Sequence, residues 1–312
     1  MKVAQVALVG TGVIGASWAT LFLAKGLDVI ATDTAPGAEA KLRAIVGHQW
    51  EAMETLGLAS GASQSRLTFT ASLEEAVRNA DFIQESGPER LEIKRDLYRR
   101  TDAAARPDVV IATSSSGILI SEVQTVCRHH RDRVLVGHPF NPPHLIPLVE
   151  VVGGHATSEA AVATAMEFYA SVGKHPIHLK KEVKGHVANR LQAALWREAF
   201  SLVHEGVATV ADIDTAISHG PGLRWALLGP FLNLHLSGGV GGLEYVLDHL
   251  GPPIESWWAD MHEVTIDDEL KAQLVAGGDE ELAGKSMEAI TQDRDRVLLE
   301  LMRLKAEAGN LP

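Results

Sequence analysis

Val3-Ala-Gln-Val-Ala-Leu-Val9-Gly10-Thr-Gly12-Val13-Ile14-Gly15 opens as a short apolar run, breaks into three spaced glycines and continues into an alanine-rich stretch. An apolar run ending at glycine reads as a buried strand, and the residues beyond it read as a helix. At the turn between them, Gly10 permits the tight bend. Gly12 lets backbone approach a pyrophosphate, and Gly15 lets helix and strand pack closely. Val13 and Ile14 open the helix, whose free amides and positive dipole end suit phosphate.

Further along, apolar runs at 28–32, 81–84, 109–112, 134–137, 148–152 and 176–179 alternate with helical patterns. Strand and helix in alternation predict an α/β domain of the doubly wound Rossmann type, with a mostly parallel sheet, over residues 1–183. Ser72-Leu-Glu-Glu75 reads as a reciprocal capping box, and Gly26 as the left-handed residue that ends the first helix. From 184 to 312 strand-like runs give way to helical spacing, as in Val187, Leu191, Leu195, Phe200 and Val203. The Gly- and Pro-rich segments 219–222, 238–242 and 251–253 read as turns between helices. The second domain is therefore expected to be all-helical.

Asp33 ends the second strand, 18 residues past Gly15. A carboxylate there accepts both ribose hydroxyls of a dinucleotide and repels a 2′-phosphate, and Thr34-Ala-Pro-Gly37 brings no Arg or Lys to welcome one. The expected cofactor is NAD. The alternative reading of Asp33 is an ordinary strand-end aspartate. Net charge is −12, which argues against a nucleic-acid partner and an anionic membrane surface. Cys127 is the single cysteine, no run of 18 apolar residues occurs, and no metal site is read. These point to a cytoplasmic protein acting on a small molecule.

Dehydrogenation of a hydroxyl needs a base near neutrality, and histidine supplies one. His138 follows the apolar run 134–137, at the sheet edge where ligands of open α/β folds gather. Glu150 lies inside Leu148-Val-Glu-Val-Val152, and a carboxylate there needs a partner. Pairing the two would fix the imidazole tautomer and strengthen it as a base. The alternative is a strand-end histidine beside an unrelated ion pair.

Taken together, the glycine turn, Gln84-Glu-Ser-Gly-Pro-Glu89-Arg-Leu-Glu-Ile-Lys94, Thr113-Ser-Ser-Ser116, His138-Pro-Phe-Asn-Pro142, Leu148–Val152 and Asn189-Arg-Leu191 occur in an order that resembles the 3-hydroxyacyl-CoA dehydrogenase family. The resemblance covers essentially the whole chain. It implies His138 as base, Glu150 as its orienting partner, Ser115 on the substrate oxygen and Asn189 on the carbonyl side. It also implies Glu89 and Lys94 near the nicotinamide ribose, and a homodimer formed through the helical domain. Each has a plainer reading: a polar turn for 114–116, a local backbone partner for Asn189, a solvated helix face for Lys94.

Fatty-acid members carry a lysine-rich hairpin after the second strand, where CoA docks. Residues 46–70 here hold no lysine and only Arg66, although the phosphates of CoA want basic partners. Residues 218–231 instead resemble the branch containing L-gulonate and carnitine dehydrogenases, which act on free 3-hydroxy carboxylates. On that reading Arg224 clamps the carboxylate and Trp225 lines the substrate site, the alternative for Arg224 being a helix or subunit bridge. Trp196, Trp257 and Trp258 join Trp225 as candidate aromatic faces for a trimethylammonium group, the alternative being core or interface. A short-chain 3-hydroxyacyl-CoA dehydrogenase and a non-catalytic, crystallin-like or regulatory NADH-binding protein are the rival functions.

Overall fold

A computed structural model describes residues 3–311. The chain divides into two compact units, Met1–Arg190 and Leu191–Pro312. The first holds one eight-stranded sheet of order β3-β2-β1-β4-β5-β6-β7-β8. Its strands are β1 (Gln5–Val9), β2 (Asp28–Thr32), β3 (Leu67–Thr70), β4 (Phe82–Glu85), β5 (Val110–Thr113), β6 (Val134–Pro139), β7 (Leu148–Gly153) and β8 (His175–Leu179). β3 through β6 are parallel in that order, β7 turns antiparallel to β6, and β8 runs parallel to β7. The expected mostly parallel sheet is present.

Helices cover both faces. Alternate residues of each strand point to opposite sides, and two apolar layers result. One joins Val6, Leu8, Leu135, Val149 and Val151 to α1 (Val13–Ala24), α2 (Ala38–Leu56) and α6 (Glu159–Ser171). The other joins Ile111, Val134, Val136 and Val152 to α3 (Leu73–Arg78), α4 (Leu91–Ala104) and α5 (Ile120–Gln124). Val134, Val136 and His138 alternate along β6, so His138 faces the second layer at the strand's end.

Two local readings change and one holds. β3 is a strand the apolar pattern does not announce: it holds two apolar residues in four, and only Leu67 is buried. Ser72 does cap α3 by accepting from the Glu75 amide at 3.2 Å, but the Glu75 carboxylate accepts from the Thr70 hydroxyl, so the box is half formed. Gly26 follows α1 with φ of +77°, as expected.

From α7 (Ala188–His204) onward the described residues are helical: α8 (Val210–Ser218), α9 (Pro221–Trp225), α10 (Pro230–Ser237), α11 (Gly242–Asp260), α12 (Asp268–Leu282) and α13 (Met287–Glu307). Residues 251–253 do not form the expected turn; Pro252 and Pro253 lie inside α11. Proline's fixed φ suits a helix, and its cost is the lost amide bond and crowding of the preceding turn. In this unit only Val246 and Leu270 are fully buried among the described apolar side chains, while Leu191, Trp196, Phe231, Leu236, Trp257 and Trp258 are exposed.

Gly137, beside His138, lies under the hydroxyl of the buried Tyr169, where a Cβ would overlap it. That hydroxyl donates to Gln84 Oε1 at 2.6 Å, and Gln84 Nε2 donates to the Gly137 carbonyl at 3.3 Å. Gly137→Ala should therefore displace a locked aromatic ring and cost about 1–3 kcal/mol. Urea unfolding monitored by fluorescence checks this; an unshifted midpoint would contradict the packing described.

Candidate active site

At the crevice between β1 and β4 the two strand-end loops touch. A Cβ on Gly10 would come within 2.7 Å of the Ser86 backbone, and φ there is +93°, so glycine is required twice over. Gly12, the N-cap of α1, makes no side-chain cap and has open space where a Cβ would stand. The first turn of α1, at Val13 and Ile14, thus offers its amides to an anion, and the close approach of Gly15 to the Gly10 carbonyl leaves no room for a side chain.

Asp33 ties this loop to β2. Its Oδ2 accepts from the Thr11 amide at 2.7 Å and hydroxyl at 3.0 Å, and its Oδ1 accepts from the Ala35 amide at 2.9 Å. Burial alone would raise the Asp33 pKa; the Ala35 and Thr11 bonds outweigh it and hold the carboxyl below its ordinary value, so it is ionised. The pocket beside it is lined by Gly37, Arg43 and Phe69. Arg43 was outside the segment read for basic partners, and its guanidinium is engaged by Glu39 at 2.8 Å. The glycine cradle and the ionised Asp33 fit a dinucleotide whose ribose hydroxyls are free.

Along the sheet, the β6–β7 ladder sets His138 directly opposite Glu150. His138 Nδ1 donates to Glu150 Oε2 at 2.9 Å, leaving Nε2 with its lone pair. The other carboxylate oxygen, Oε1, accepts from the amides of Val187 at 2.8 Å and Ala188 at 2.9 Å, at the start of α7. Glu150 is fully buried. Desolvation pushes its pKa up, but His138, Ala188 and Val187 together hold it below the ordinary value. Asn189, in the first turn of α7, is half-buried just beyond these two amides.

Ser115 follows β5. Its hydroxyl donates to Glu89 Oε1 at 2.6 Å, and the same oxygen accepts the Gly117 amide at 2.9 Å. Burial pushes the Glu89 pKa up; the Ser115, Gly117 and Lys94 interactions bring it below normal. Lys94 is not on a solvated face. It is 1% exposed, 2.9 Å from Glu85 and 3.7 Å from Glu89. Glu85 escaped notice in the sequence although it sits in the quoted Gln84–Lys94 segment; a buried lysine would have demanded it.

His186 was also missed. It is buried, adopts φ of +50°, and its Nε2 lies 3.0 Å from the Ser115 carbonyl. Its ring centroid is 4.9 Å from that of His138. Ser115, His186, His138 and Glu150 thus form one connected group. Arg224 and Trp225 lie in the helical unit, on α9, both exposed. The Arg224 guanidinium has no carboxylate partner among the described residues. Trp196, Trp257 and Trp258 are exposed as well, so none is core within the chain.

Residues 5–183 match the profile of the 3-hydroxyacyl-CoA dehydrogenase NAD-binding domain, and residues 185–269 match that of the same family's C-terminal domain. An L-carnitine dehydrogenase of Streptomyces griseus is 51% identical over 310 residues, 99% of this chain and 91% of that protein. One from Pseudomonas putida is 48% identical, covering 95% of this chain and 92% of its own length. Among solved structures, an NAD+-dependent 5-formyl-3-hydroxy-2-methylpyridine 4-carboxylic acid 5-dehydrogenase aligns with TM-score 0.85 and 31% identity, covering 98% of this chain and 99% of that one.

The cofactor is NAD. Replacing Asp33 removes an ionised carboxylate beside the glycine loop and the tie to Thr11. Asp33→Ser should raise the KM for NADH about tenfold or more and narrow its preference over NADPH. Steady-state rates with both nucleotides measure this, and an unchanged preference would remove Asp33 from cofactor selection.

Proposed function

The chain belongs to the 3-hydroxyacyl-CoA dehydrogenase family, and from that premise we propose that it oxidises the 3-hydroxyl of L-carnitine, a free 3-hydroxy carboxylate, with His138 as the base. The observation that carries the reading is the buried His138–Glu150 pair, with its free Nε2 at the ligand edge of the sheet. NAD supplies the two-electron acceptor. Nε2 of His138 takes the hydroxyl proton while the carbon–hydrogen bond at the same carbon gives up its electron pair, leaving a 3-keto acid. Glu150 stays ionised, keeps the imidazole in the required tautomer and balances the charge it gains.

Ser115 contributes its hydroxyl to the substrate oxygen by exchanging Glu89 for it, and Asn189 holds the carboxyl side. Glu89 would face the nicotinamide ribose, with Lys94 positioning it from within α4. Arg224 clamps the substrate carboxylate, its unengaged guanidinium suiting a bidentate partner, and Trp225 lines the same site. A free acid is preferred over a thioester because residues 46–70 form the second part of α2 and β3, without a lysine for CoA phosphates. The exposed apolar side chains of α7, α10 and α11, Leu191, Trp196, Phe231, Leu236, Trp257 and Trp258 among them, favour a homodimer formed through the helical unit.

NAD reduction with L-carnitine, L-gulonate, 3-hydroxybutyrate and 3-hydroxybutyryl-CoA tests the substrate; activity confined to the thioester overturns it. In the same assay His138→Gln should lower turnover at least about a hundredfold while NADH binding, followed by fluorescence, stays near normal. Sedimentation should give a dimer; a monomer at micromolar concentration ends that part of the reading.

A further inference from the structure

Residues 140–147 join β6, which carries His138, to β7, which carries Glu150. Pro142, Pro143 and Pro147 have no amide hydrogen to give. The amides of Leu145 and Ile146 both donate to the Pro142 carbonyl, at 3.0 and 2.9 Å. The carbonyls of Pro143, Ile146 and Pro147 therefore need donors from outside the loop, whose middle, Pro143 to Leu145, is buried.

All three are served from residues 174 and 175, where α6 gives way to β8. The His175 amide donates to the Pro147 carbonyl at 2.8 Å. Lys174 Nζ donates to the Pro143 carbonyl and, at 2.8 Å, to the Ile146 carbonyl. Lys174 is 5% exposed, forms no ion pair with a carboxylate among the described residues, and stands 5.2 Å from the Trp18 ring centroid. A lysine buried without a counter-charge is costly, and here the loop carbonyls and the aromatic face are what offset it. Burial, with Lys25 nearby, draws its pKa down from 10.5 to about 7. An ammonium has three N–H bonds and a neutral amine two, so both carbonyls stay served in either form.

In a hairpin the register follows from the geometry of the connection. Resting on the reading of His138 as the base, we infer that Lys174 is the positioning residue for the His138–Glu150 pair. It holds the loop between their strands, and through it the place of the carboxylate against the imidazole. The bond at stake is 2.9 Å long. A displacement of about 1 Å is enough to lose it, and errors of that size cost catalysis about a hundredfold. A second tie of the loop, between His144 Nδ1 and Ser17 Oγ at 3.1 Å, leads to α1 without passing through Lys174. The cofactor helix therefore keeps its hold on the loop when the lysine is lost.

The test is Lys174→Met, which keeps an unbranched stem and removes the donors. Its kcat with the best hydroxy acid of the panel should fall at least about tenfold, while the Kd for NADH stays within about twofold of normal. In protein labelled with nitrogen-15 histidine, the His138 Nδ1–H proton bonded to Glu150 gives a low-field NMR signal, assigned by its absence in His138→Gln. That signal should broaden or vanish in Lys174→Met. A role in stability alone would lower Tm and leave the signal and kcat of the folded protein unchanged. Lys174→Gln is one bond shorter and reaches one carbonyl at most; its kcat should fall at least about threefold, and it decides the matter if the first variant does not fold. Unchanged kcat and signal in a folded variant overturn the proposal, as does a loss of NADH binding that accounts for the whole effect. Near-normal turnover in His138→Gln overturns the reading of the base and this proposal with it. Lost turnover there beside an unaffected Lys174→Met overturns this proposal alone.

Discussion

Glu150 sits between two strands with no exposure to water, and a carboxylate in that position costs several kcal/mol unless its oxygens are fully engaged. One oxygen takes the imidazole of His138, and the other takes two amides at the start of α7. Removing either partner would leave a charge uncompensated, typically a loss of about 3–5 kcal/mol. The carboxylate thereby joins three things that are separate in the sequence: the tautomer of His138, the register of the β6–β7 pair, and the place where a helix begins. The antiparallel turn of β7 makes this work. It puts residue 150 opposite residue 138 in the ladder, whereas a parallel strand would have needed a crossover connection of a dozen residues or more.

A second constraint operates at the other end of the crevice. The loops after β1 and β4 approach until only glycine fits at position 10, and the β4 loop continues into Glu85, Gly87 and Glu89. Lys94 gathers these carboxylates from inside α4, and the Gly87 amide donates to Glu85 Oε1 at 2.6 Å. The loop after β4 and the Ser115 loop are therefore held together through Lys94, Glu85 and Glu89, so their spacing is set by ion-pair geometry as well as by the sheet.

Much of this was legible in the sequence. Periodicity showed seven of the eight strands, because buried parallel strands are continuous apolar runs. It passed over β3, an edge strand alternating leucine and phenylalanine with threonine. Solvation alone showed that Glu150 must find a partner; it left His138 as one of two readings, and the resemblance favoured the pair that the β6–β7 register forms. Lys94 looked solvated because its sequence neighbours are charged, and only the packing of α4 on the sheet reveals its burial. Position 186 gave no signal: a single histidine in a turn reads as a surface residue until the left-handed backbone and the Ser115 carbonyl fix its ring. Arg43 was passed over for a related reason, one helical turn separating it from the segment that sequence reading inspects.

Gly137, with Tyr169 against it and Gln84 bonded to its carbonyl, makes the backbone beside His138 rigid and closed to added volume. A side chain at position 137 is therefore sterically excluded unless Tyr169 moves. The bend at residues 183–187 reaches the same His138–Glu150 pair through the Val187 amide and the His186 ring. New side-chain volume near this pair is therefore easier to seat in that short bend than in β6, whose packing leaves none.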